Sequence, residues 1–398
     1  MDRRDVLKGL ALSAGLAGLP AAAAEGDSTK ESAAAASSLA WRELISLLAE
    51  AERDYLSYAY GIDNPADQVE GRLFLAQALQ ASLEFFAQGD AERPSWTRFV
   101  TPHKKLLGDN PDAIYYSAPV NPNRRYRISG NVTGAVYTSF TVEAGTSEGA
   151  LSKRLLATLN DTQFDVRADG SYEITAGGPE QTRNWLALDP EAGSITTRHY
   201  FEWPRSAAAD PLLHIPLEIE PLDSPGAATL PSDAVVAANL RRTARFFRAL
   251  TLDRKPPAQH PAVNQISRPD RHATNKNTGF AALDNVYASG NYELGPEQAL
   301  IIRGRFPRAR FSNVVLWNRY MQTFDYENGR VSLNRRQTKI DEDGSFRIVL
   351  AHRDPGIPNW LQTQGRPRGT IFWRFLLPEE DIEPLRTEVV RFADIIRA

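Results

Sequence analysis

The sequence predicts an α+β protein that is mainly β, with two similar antiparallel β-sandwich-like lobes, an N-terminal helical hairpin and a connecting helix. Three observations support this fold class: an internal repeat, alternating apolar residues after each repeated turn, and helical apolar stripes near the N-terminus. A chain of 398 residues is also longer than one typical hydrophobic core, which favours two lobes.

The repeat consists of four landmarks that occur twice in the same order and at nearly the same spacing. The first copy reads RISG at 127–130, DGSYEI at 169–174, NWL at 184–186 and then Arg198. The second copy reads IIRG at 301–304, DGSFRI at 343–348, NWL at 359–361 and then Arg374. The glycine of the first landmark and the aspartate of the second are 39 positions apart in both copies. Because two copies are too few for a solenoid, the repeat predicts two similar lobes packed together.

The DGS landmarks indicate hairpin turns, since Asp and Gly tolerate the backbone conformations of tight turns and the alternation that follows is typical of a strand. Asp169, Gly170, Asp343 and Gly344 are therefore interpreted as turn formers. The second lobe is predicted over 286–378. In the first lobe we predict strands at Ala113–Ser117, Tyr126–Ser129, Ala135–Thr141, Tyr172–Thr175, Ser194–Phe201 and His214–Ile219.

Three longer helices are predicted from apolar residues at helical spacing. The second should begin at Asn64–Pro65, an N-cap followed by a first-turn proline, and the third at Ser232–Asp233. Shorter helices are predicted at Ala150–Leu159 and Glu383–Ile396, and 252–279 reads as a long loop. The buried stripes are predicted as Trp41, Leu44, Leu48, Ala51 and Tyr55; Leu73, Ala76, Leu79, Leu83 and Phe86; and Val236, Leu240, Phe247 and Leu250.

The first 24 residues resemble a twin-arginine export signal, because Arg3 and Arg4 precede a short apolar run and an A-x-A cleavage site. The run Gly9–Leu19 is too short to span a bilayer, so no stable membrane span is expected. These patterns predict a periplasmic or secreted protein that meets the twin-arginine translocase during export. The predicted segments are a signal peptide at 1–24, a disordered tether at 25–38, a helical region at 39–111, the first β lobe at 112–222, a connecting helix and loop at 223–285, and the second lobe with its C-terminal helix at 286–398.

Composition excludes several kinds of protein. A net charge of −3 and a hydrophobic fraction of 42% are those of an ordinary globular protein and predict no nucleic-acid partner. The absence of cysteine excludes disulfides, thiolate catalysis and cysteine-ligated metals. No two of the six histidines have metal-ligand spacing, and nucleotide-binding motifs are missing. We therefore predict no cofactor and no metal, while a metal site assembled from distant residues stays open.

Candidate catalytic residues come from a contrast between the two copies. Residues shared by both, such as Trp185, Trp360 and the two arginines, are interpreted mainly as maintaining the fold. Residues that occur in one copy only are better functional candidates. His352 could move a proton near neutral pH, Asp354 could orient it or act as a base, and Arg353 could bind an anionic oxygen. The alternative is a structural turn with an Arg–Asp ion pair.

Candidate substrate-binding residues are mostly aromatic or polar side chains near the landmarks, and a cross-strand stack or a structural loop is the alternative for each. They are Arg198, His199, Tyr200, Tyr287, Trp317, Asn359, Trp360 and Arg374. The string GTSEG at 145–149 matches the G-x-S-x-G pattern of nucleophile elbows, which sit in parallel α/β sheets. Because its surroundings are predicted to be antiparallel, a solvated loop is favoured for Ser147.

Several strings resemble the bacterial family known as domain of unknown function 1214. They are NPDAIYY at 110–116, RHYFEW at 198–203, YELGPEQALII at 292–302, SLN at 332–334 and HRDPGIPNWLQTQG at 352–365. In longer relatives that domain follows a second uncharacterised domain, number 1254. The resemblance covers most of the chain after the signal, implies a β-rich, two-lobed fold with accessory helices, and implies no particular catalytic residues.

Together these patterns predict an exported, cofactor-independent hydrolase or lyase that acts on a small hydroxylated or aromatic compound in a cleft between the lobes. The alternative is a non-catalytic periplasmic protein for ligand binding or envelope assembly. An enzyme should have a desolvated acid–base pair at the floor of the cleft, whereas a binding protein should have an aromatic groove. The sequence leaves the substrate and homo-oligomerisation open.

Overall fold

The computed structural model describes residues 35–227, 229–256, 262–273 and 277–396. The predicted signal peptide and most of the predicted tether lie outside the described residues. Within the described ranges, no helix is both long enough and apolar enough to cross a membrane.

Three α-helices form one layer of the described chain: α1 at Ala36–Asp54, α2 at Pro65–Ser82 and α3 at Asp233–Leu250. As predicted, the side chain of Asn64 caps α2 by accepting a hydrogen bond of 2.9 Å from Asp67 N, and Ser232 caps α3. A π-helical turn at Leu83–Ala87 continues α2. Helix α1 packs on α3 and buries Ala40, Leu44, Leu47 and Ala51.

The predicted helical stripes are partly wrong. Trp41 is 52% exposed and Leu73 is 58% exposed, although both were placed in buried stripes. In α1 the small Ala40 faces α3 instead, since it allows closer approach of the two helix axes than the indole would. In α2 the buried face carries Phe74, Leu75, Ala78 and Ala81.

Seventeen strands occur in the described residues and are numbered in chain order. The first lobe contains β1 Thr97–Arg98, β2 Ala113–Pro119, β3 Tyr126–Asn131, β4 Tyr137–Ala144, β5 Leu155–Asn160, β6 Ser171–Ala176, β7 Trp185–Leu186, β8 Ala192–Tyr200 and β9 Leu217–Pro221. The second lobe contains β10 Asn285–Glu293, β11 Gln298–Arg305, β12 Phe311–Trp317, β13 Ser332–Asn334, β14 Ser345–Ala351, β15 Trp360–Gln362, β16 Arg368–Leu376 and β17 Arg386–Arg391.

The two lobes have the same topology. In the first lobe the sheets have the orders β1-β2-β8-β4-β5 and β7-β6-β3-β9. In the second lobe the orders are β10-β16-β12-β13 and β15-β14-β11-β17. From β2 onward, each strand of the first lobe therefore has its counterpart eight strands later in the chain. The predicted duplication and the predicted fold class are confirmed.

The repeated landmarks make equivalent contacts in the two lobes. Gly170 and Gly344 have positive φ values of 83° and 85°, which L side chains rarely adopt. The aspartate before each glycine accepts a hydrogen bond of 2.9 Å from the backbone N–H of the serine after it. The indole N–H groups of Trp185 and Trp360 donate to equivalent backbone carbonyl oxygens, at 3.1 and 3.2 Å. The landmarks thus close the same turn and the same loop twice.

Two short helices predicted from the sequence are wrong. The segment predicted as a helix at 150–159 instead leads into β5, which pairs antiparallel with β4. The tail predicted as a helix at 383–396 forms β17, which pairs with β11 and is followed by a 3-10 turn at Phe392–Asp394. Both segments complete a sheet of the repeat, so pairing with a neighbouring strand overrides their helical spacing.

Each lobe is a sandwich whose apolar core lies between its two sheets. In the second lobe the core includes Trp373, Phe375 and Ile348, and in the first it includes Phe140 and Ile174. Because side chains alternate across a strand, the opposite face of the β2-β8-β4 sheet and of the β10-β16-β12 sheet points away from these cores. The three helices and the long loop cover parts of that face, and a cavity lies there between the two sheets and the loop.

Candidate functional site

A cavity of about 600 Å³ lies between the lobes, on the faces of the two sheets that point away from the sandwich cores. Its floor comes from β2 and β8 of the first lobe and from β10, β12 and β16 of the second. The described residues of 99–109 and 267–282 form its walls. Small-molecule sites in proteins commonly have 300–1,000 Å³, so this cavity is large enough for one small organic ligand.

The repeat brings two equivalent arginines to this cavity. Arg198 on β8 lies opposite Tyr115 of β2, and Arg374 on β16 lies opposite Tyr287 of β10. All four residues line the cavity. Each arginine side chain is only 4% exposed, and neither forms a salt bridge with a described carboxylate. Two buried positive charges therefore face one cavity.

Each arginine holds a loop of the cavity wall. Arg198 Nη2 donates to the carbonyl oxygen of Phe280 at 2.8 Å, and Arg374 Nη2 donates to that of Gly108 at 2.6 Å. Phe280 and Gly108 both have positive φ, at 55° and 78°. The arginines thus fix two conformationally restricted turns, which accounts for part of their role in the fold.

The aromatic part of the cavity belongs mainly to the second lobe. The rings of Trp317 and Phe372 stack with centroids 4.2 Å apart. The guanidinium of Arg374 lies over both rings, at 5.0 and 4.9 Å from their centroids. Burial raises the pKa of the Tyr115 and Tyr287 phenols well above the usual value, so both tyrosines are neutral at physiological pH.

The cavity has more positive than negative side chains. Arg198, Arg254, Arg268 and Arg374 line it, against the two acids Asp109 and Asp270. Asp109 is buried, its Oδ1 accepts from Thr323 N at 2.8 Å, and its Oδ2 has no hydrogen-bond partner in the described structure. Burial raises the pKa of Asp109, an effect that Lys105 and Arg374 partly oppose. The cavity therefore favours an anionic occupant.

The strands β11 to β16 form most of a region that is shared with other proteins. Residues 290–380 match the family model described as protein of unknown function (DUF1214). The DUF1214 region carries Trp317, Phe372 and Arg374 and thus one side of the cavity, whereas Arg198 and Tyr115 lie outside it.

One solved structure resembles most of this chain, and a second is less similar. An uncharacterised protein from Burkholderia cenocepacia is similar at a TM-score of 0.79 and 25% identity, over 90% of this chain and 98% of that chain. A protein from Vibrio parahaemolyticus gives a TM-score of 0.48 and 11% identity, over 80% of this chain and 98% of that one. No curated protein matches this sequence. The similarity to the Burkholderia cenocepacia protein therefore extends well beyond the DUF1214 region.

The three candidate catalytic residues of the DUF1214 region lie outside the cavity lining. His352 Nδ1 lies 2.6 Å from Thr363 Oγ1, and its Nε2 lies 3.2 Å from Leu294 O. Arg353 forms a bidentate ion pair with Glu297, with distances of 2.8 and 2.6 Å. Asp354 accepts a hydrogen bond of 2.7 Å from Gly356 N. In the structure these contacts order a surface loop beside β14.

The candidate substrate-binding residues divide into two groups. The structure brings five of them together at the cavity: Arg198, Tyr200, Tyr287, Trp317 and Arg374. The other three lie elsewhere. His199 is fully buried and its ring lies between Thr138 and Thr197, on the core face of β8. Asn359 and Trp360 hydrogen-bond to backbone groups around the NWL loop.

Some residues of the cavity were not predicted from the sequence. Tyr115 lies inside the NPDAIYY string and is the repeat equivalent of Tyr287, so aligning the strands that precede the landmarks could have identified it. Asp109 and Phe372 have no signal of their own in one sequence. They reach the cavity because a loop and a strand face happen to meet there in the folded chain.

A second cavity of about 670 Å³ adjoins the first beside α2 and shares Trp317 and Phe372 with it. Five of its charged side chains pair with each other. Arg368 lies 2.8 Å from Asp63 and 3.1 Å from Asp67, and Arg366 forms an ion pair with Glu70. Because the charges of these five side chains are compensated, we expect the second cavity to favour a charged ligand less than the central cavity does.

Ser147 lines a third cavity, of about 250 Å³, together with Arg242 and Phe246. It lies in a 3-10 turn after β4, in an antiparallel sheet, and no histidine lines that cavity among the described residues. The geometry of a nucleophile elbow is therefore missing around Ser147. Among the described residues no group of three or more His, Asp or Glu side chains is placed to hold a metal ion.

Proposed function

We propose that this protein binds a small organic anion that carries a ring or hydroxyl groups in the central cavity. The observation that carries the proposal is the pair of buried arginines that line the cavity, Arg198 and Arg374, of which Arg374 has an Nη1 without a hydrogen-bond partner in the described structure. An uncompensated buried charge is costly in free energy, and an anionic ligand would offset that cost.

The aromatic side chains of the cavity support the part of the proposal that gives the ligand a ring. Trp317, Phe372 and Tyr287 offer flat apolar surface next to a guanidinium, a combination suited to a planar organic anion. The neutral phenol group of Tyr115 can donate a hydrogen bond to an anionic oxygen or pair with a hydroxyl group, whereas Tyr287 donates its hydroxyl to Ala282 O at 3.5 Å and can accept from a ligand hydroxyl group.

The test is calorimetric titration of the purified protein with matched ligands of one shape. Benzoate should bind at least about tenfold more tightly than its neutral analogue benzamide, since a charge-assisted hydrogen bond contributes about 1.5–3 kcal/mol. Protonated benzylamine should not bind measurably. Equal binding of benzoate and benzamide, or no binding of either, would overturn the proposal. Mass spectrometry of small molecules released from the purified protein would then show what the cavity prefers.

Catalysis by a hydrolase or lyase is the second candidate function, and Asp109 is the observation that favours it. In ester hydrolysis a water molecule would attack the acyl carbon, and an arginine would stabilise the oxyanion that forms. When the bond to the leaving oxygen breaks, that oxygen would take the proton of the buried Asp109 carboxyl group, whose pKa is raised by burial, and a proton of the attacking water would return to Asp109. Asp109→Asn should then abolish release of the alcohol from aryl esters such as phenyl acetate while benzoate binding is kept. If the variant releases the alcohol as fast as the wild type, or if the wild type releases none, hydrolysis of such esters is ruled out as the function.

We also propose that the protein is exported by the twin-arginine route to the periplasm or beyond. The Arg3–Arg4 pair, the short apolar run and the A-x-A site support this. Replacing both arginines by lysine should leave uncleaved precursor in the cytoplasm, measured by fractionation and mass spectrometry of the N-terminus. Unchanged processing of that variant would contradict export by this route.

A further inference from the structure

We infer that Arg374, and not its repeat equivalent Arg198, receives the anionic group of the ligand, and that the ligand class is an aromatic monocarboxylate. This inference rests on the proposed binding of an organic anion in the central cavity and names the side chain and the ligand class. The basis is a difference between the two copies of the repeat. The strand registers show which residues of the two copies are equivalent, so their neighbours can be compared position by position.

The two arginines occupy equivalent strand positions, but their neighbours differ. Arg198 pairs with Ser139 of β4, and Arg374 pairs with Asn313 of β12. Four residues further along these partner strands, on the same face, the first lobe has Glu143 and the second has Trp317. The duplicated position that carries a carboxyl group beside one arginine thus carries an indole beside the other.

Both terminal nitrogens of Arg198 have hydrogen-bond partners within the protein. Arg198 Nη1 donates to Thr141 Oγ1 at 3.0 Å and Arg198 Nη2 to Phe280 O at 2.8 Å. Glu143 is fully buried, accepts from Thr141 Oγ1 at 3.2 Å and from Phe280 N at 3.0 Å, and so contacts the same two partners as Arg198. Burial raises the pKa of Glu143, and the Arg198 charge opposes that rise. Arg198 therefore has a carboxyl group of its own nearby.

Only one of the two terminal nitrogens of Arg374 has a hydrogen-bond partner in the described structure. Arg374 Nη2 donates to Gly108 O, whereas Arg374 Nη1 is buried without a hydrogen-bond partner in the described structure. The charge of Arg374 lowers the pKa of two buried acids, Asp109 and Asp112. Neither carboxyl group lies within salt-bridge distance of the Arg374 guanidinium. Burial favours the protonated form of both. The Arg374 guanidinium thus keeps one terminal nitrogen without a partner, whereas both terminal nitrogens of Arg198 are hydrogen-bonded.

The surroundings of Arg374 also specify the shape of the ligand. Trp317 and Phe372 flank the guanidinium, and Tyr287 lies opposite it on the next strand. A flat ring can pack against these side chains while a carboxylate attached to it meets the guanidinium. A second carboxylate would have to use Arg198, whose two terminal nitrogens each already donate a hydrogen bond, or else Arg254 or Arg268 on the cavity wall. One carboxylate on an aromatic ring therefore fits the cavity better than a dicarboxylate.

The experiment compares the matched variants Arg374→Gln and Arg198→Gln by calorimetric titration with benzoate and benzamide. Arg374→Gln should weaken benzoate binding at least about tenfold and leave benzamide unchanged, because only the anion uses the charge. Arg198→Gln should change benzoate affinity less than about threefold. Equal weakening by both variants, or weakening by Arg198→Gln alone, would overturn this inference while the proposed anion binding stands. If neither variant weakens benzoate, anion binding at these arginines fails as well.

Circular dichroism of both variants shows whether they fold, and a second measurement on the wild type does not depend on them. Phthalate, isophthalate and terephthalate carry two carboxylates at three different separations. We expect none of them to bind more tightly than benzoate, since Arg374 alone among the arginines of the cavity has a buried nitrogen without a hydrogen-bond partner in the described structure. A gain of tenfold or more for any of the three would show that a second arginine of the cavity takes the other carboxylate, and it would contradict the inference.

Discussion

Asp112 of the first lobe accepts a hydrogen bond of 2.9 Å from the side-chain amide of Asn313 of the second lobe. Asn334, also from the second lobe, donates to the other carboxylate oxygen of Asp112 at 3.1 Å. All three side chains are essentially inaccessible to solvent. The carboxyl group thus joins the residue just before β2 of one lobe to β12 and β13 of the other.

Joining the lobes through a buried carboxyl group should make stability depend on pH. Burial raises the pKa of Asp112 to about 7, against the hydrogen bonds from the two asparagines. An aspartate in the unfolded chain has a pKa of about 3.9. Between these values the folded protein holds a proton that the unfolded chain has lost. The contribution of Asp112 to stability is therefore fully present below about pH 4 and is lost as the pH rises to about 7.

The measurement is urea denaturation of the wild type and of Asp112→Asn between pH 4.5 and 8. The free energy of unfolding of the wild type, taken relative to the variant, should fall with rising pH by up to about 1.4 kcal/mol per pH unit. It should become constant above about pH 7. A difference that does not change with pH would mean that Asp112 is ionised throughout in the folded protein.

His199 should remain neutral in the folded protein well below the usual histidine range. It is fully buried between two threonine hydroxyl groups, and this burial lowers its pKa to about 3. NMR of the labelled imidazole should show a neutral ring at pH 4.5, where a histidine in a short peptide is protonated. Because the unfolded chain gains this proton below about pH 6.5, His199 makes the protein less stable as the pH falls. A ring protonated at pH 5 in folded protein would contradict the buried placement.

The duplication could be predicted from one sequence because its landmarks lie where backbone geometry restricts residue choice. Gly170 and Gly344 need positive φ, and the NWL loops repeat one set of hydrogen bonds. The helix starts at Asn64 and Ser232 were also predictable, since a cap acts within one turn. In these places local chemistry determines local structure.

The other parts of the structure depend on partners far away in the chain. The segments that form β5 and β17 carry helical spacing, and only pairing with β4 and β11 makes them strands. The same limit applies to the site. The contrast between the two copies favoured His352 as a catalytic residue, because the first copy has no histidine at the equivalent position. The shared arginines were substrate-binding candidates, but the contrast itself assigned them mainly to the fold. A duplicated fold brings equivalent positions together at its centre, so Arg198 and Arg374 reach one cavity through their repetition.

His352→Ala tests whether the loop beside β14 contributes to the proposed binding. Since His352 does not line the cavity, the variant should bind benzoate with an affinity within about twofold of the wild type. Loss of its contacts with Thr363 and Leu294 should lower the free energy of unfolding by about 0.5–1.5 kcal/mol per hydrogen bond. Calorimetry and urea denaturation give the two values. A tenfold loss of benzoate affinity at unchanged stability would bring the loop back as part of the site.

Glu143→Gln tests whether the carboxyl group beside Arg198 stabilises the first-lobe side of the cavity. Glu143 accepts hydrogen bonds from Thr141 and from the backbone of Phe280 through its two oxygens. A glutamine has one acceptor oxygen, so its amide group would meet one of these donors. We expect the free energy of unfolding to fall by about 1–3 kcal/mol, the usual cost of leaving a buried polar group unsatisfied.

Glu180→Gln is the matched control, since Glu180 is exposed and its substitution should change stability by less than about 0.5 kcal/mol. Phe280 has a positive φ of 55°, so the loop that it belongs to depends on the two hydrogen bonds that hold it. Hydrogen exchange of the Phe280 amide should therefore speed up in Glu143→Gln and stay unchanged in Glu180→Gln. Equal stability and equal exchange in both variants would mean that Arg198 does not need its carboxyl neighbour, and the difference between the two arginines would then have to lie in their other contacts.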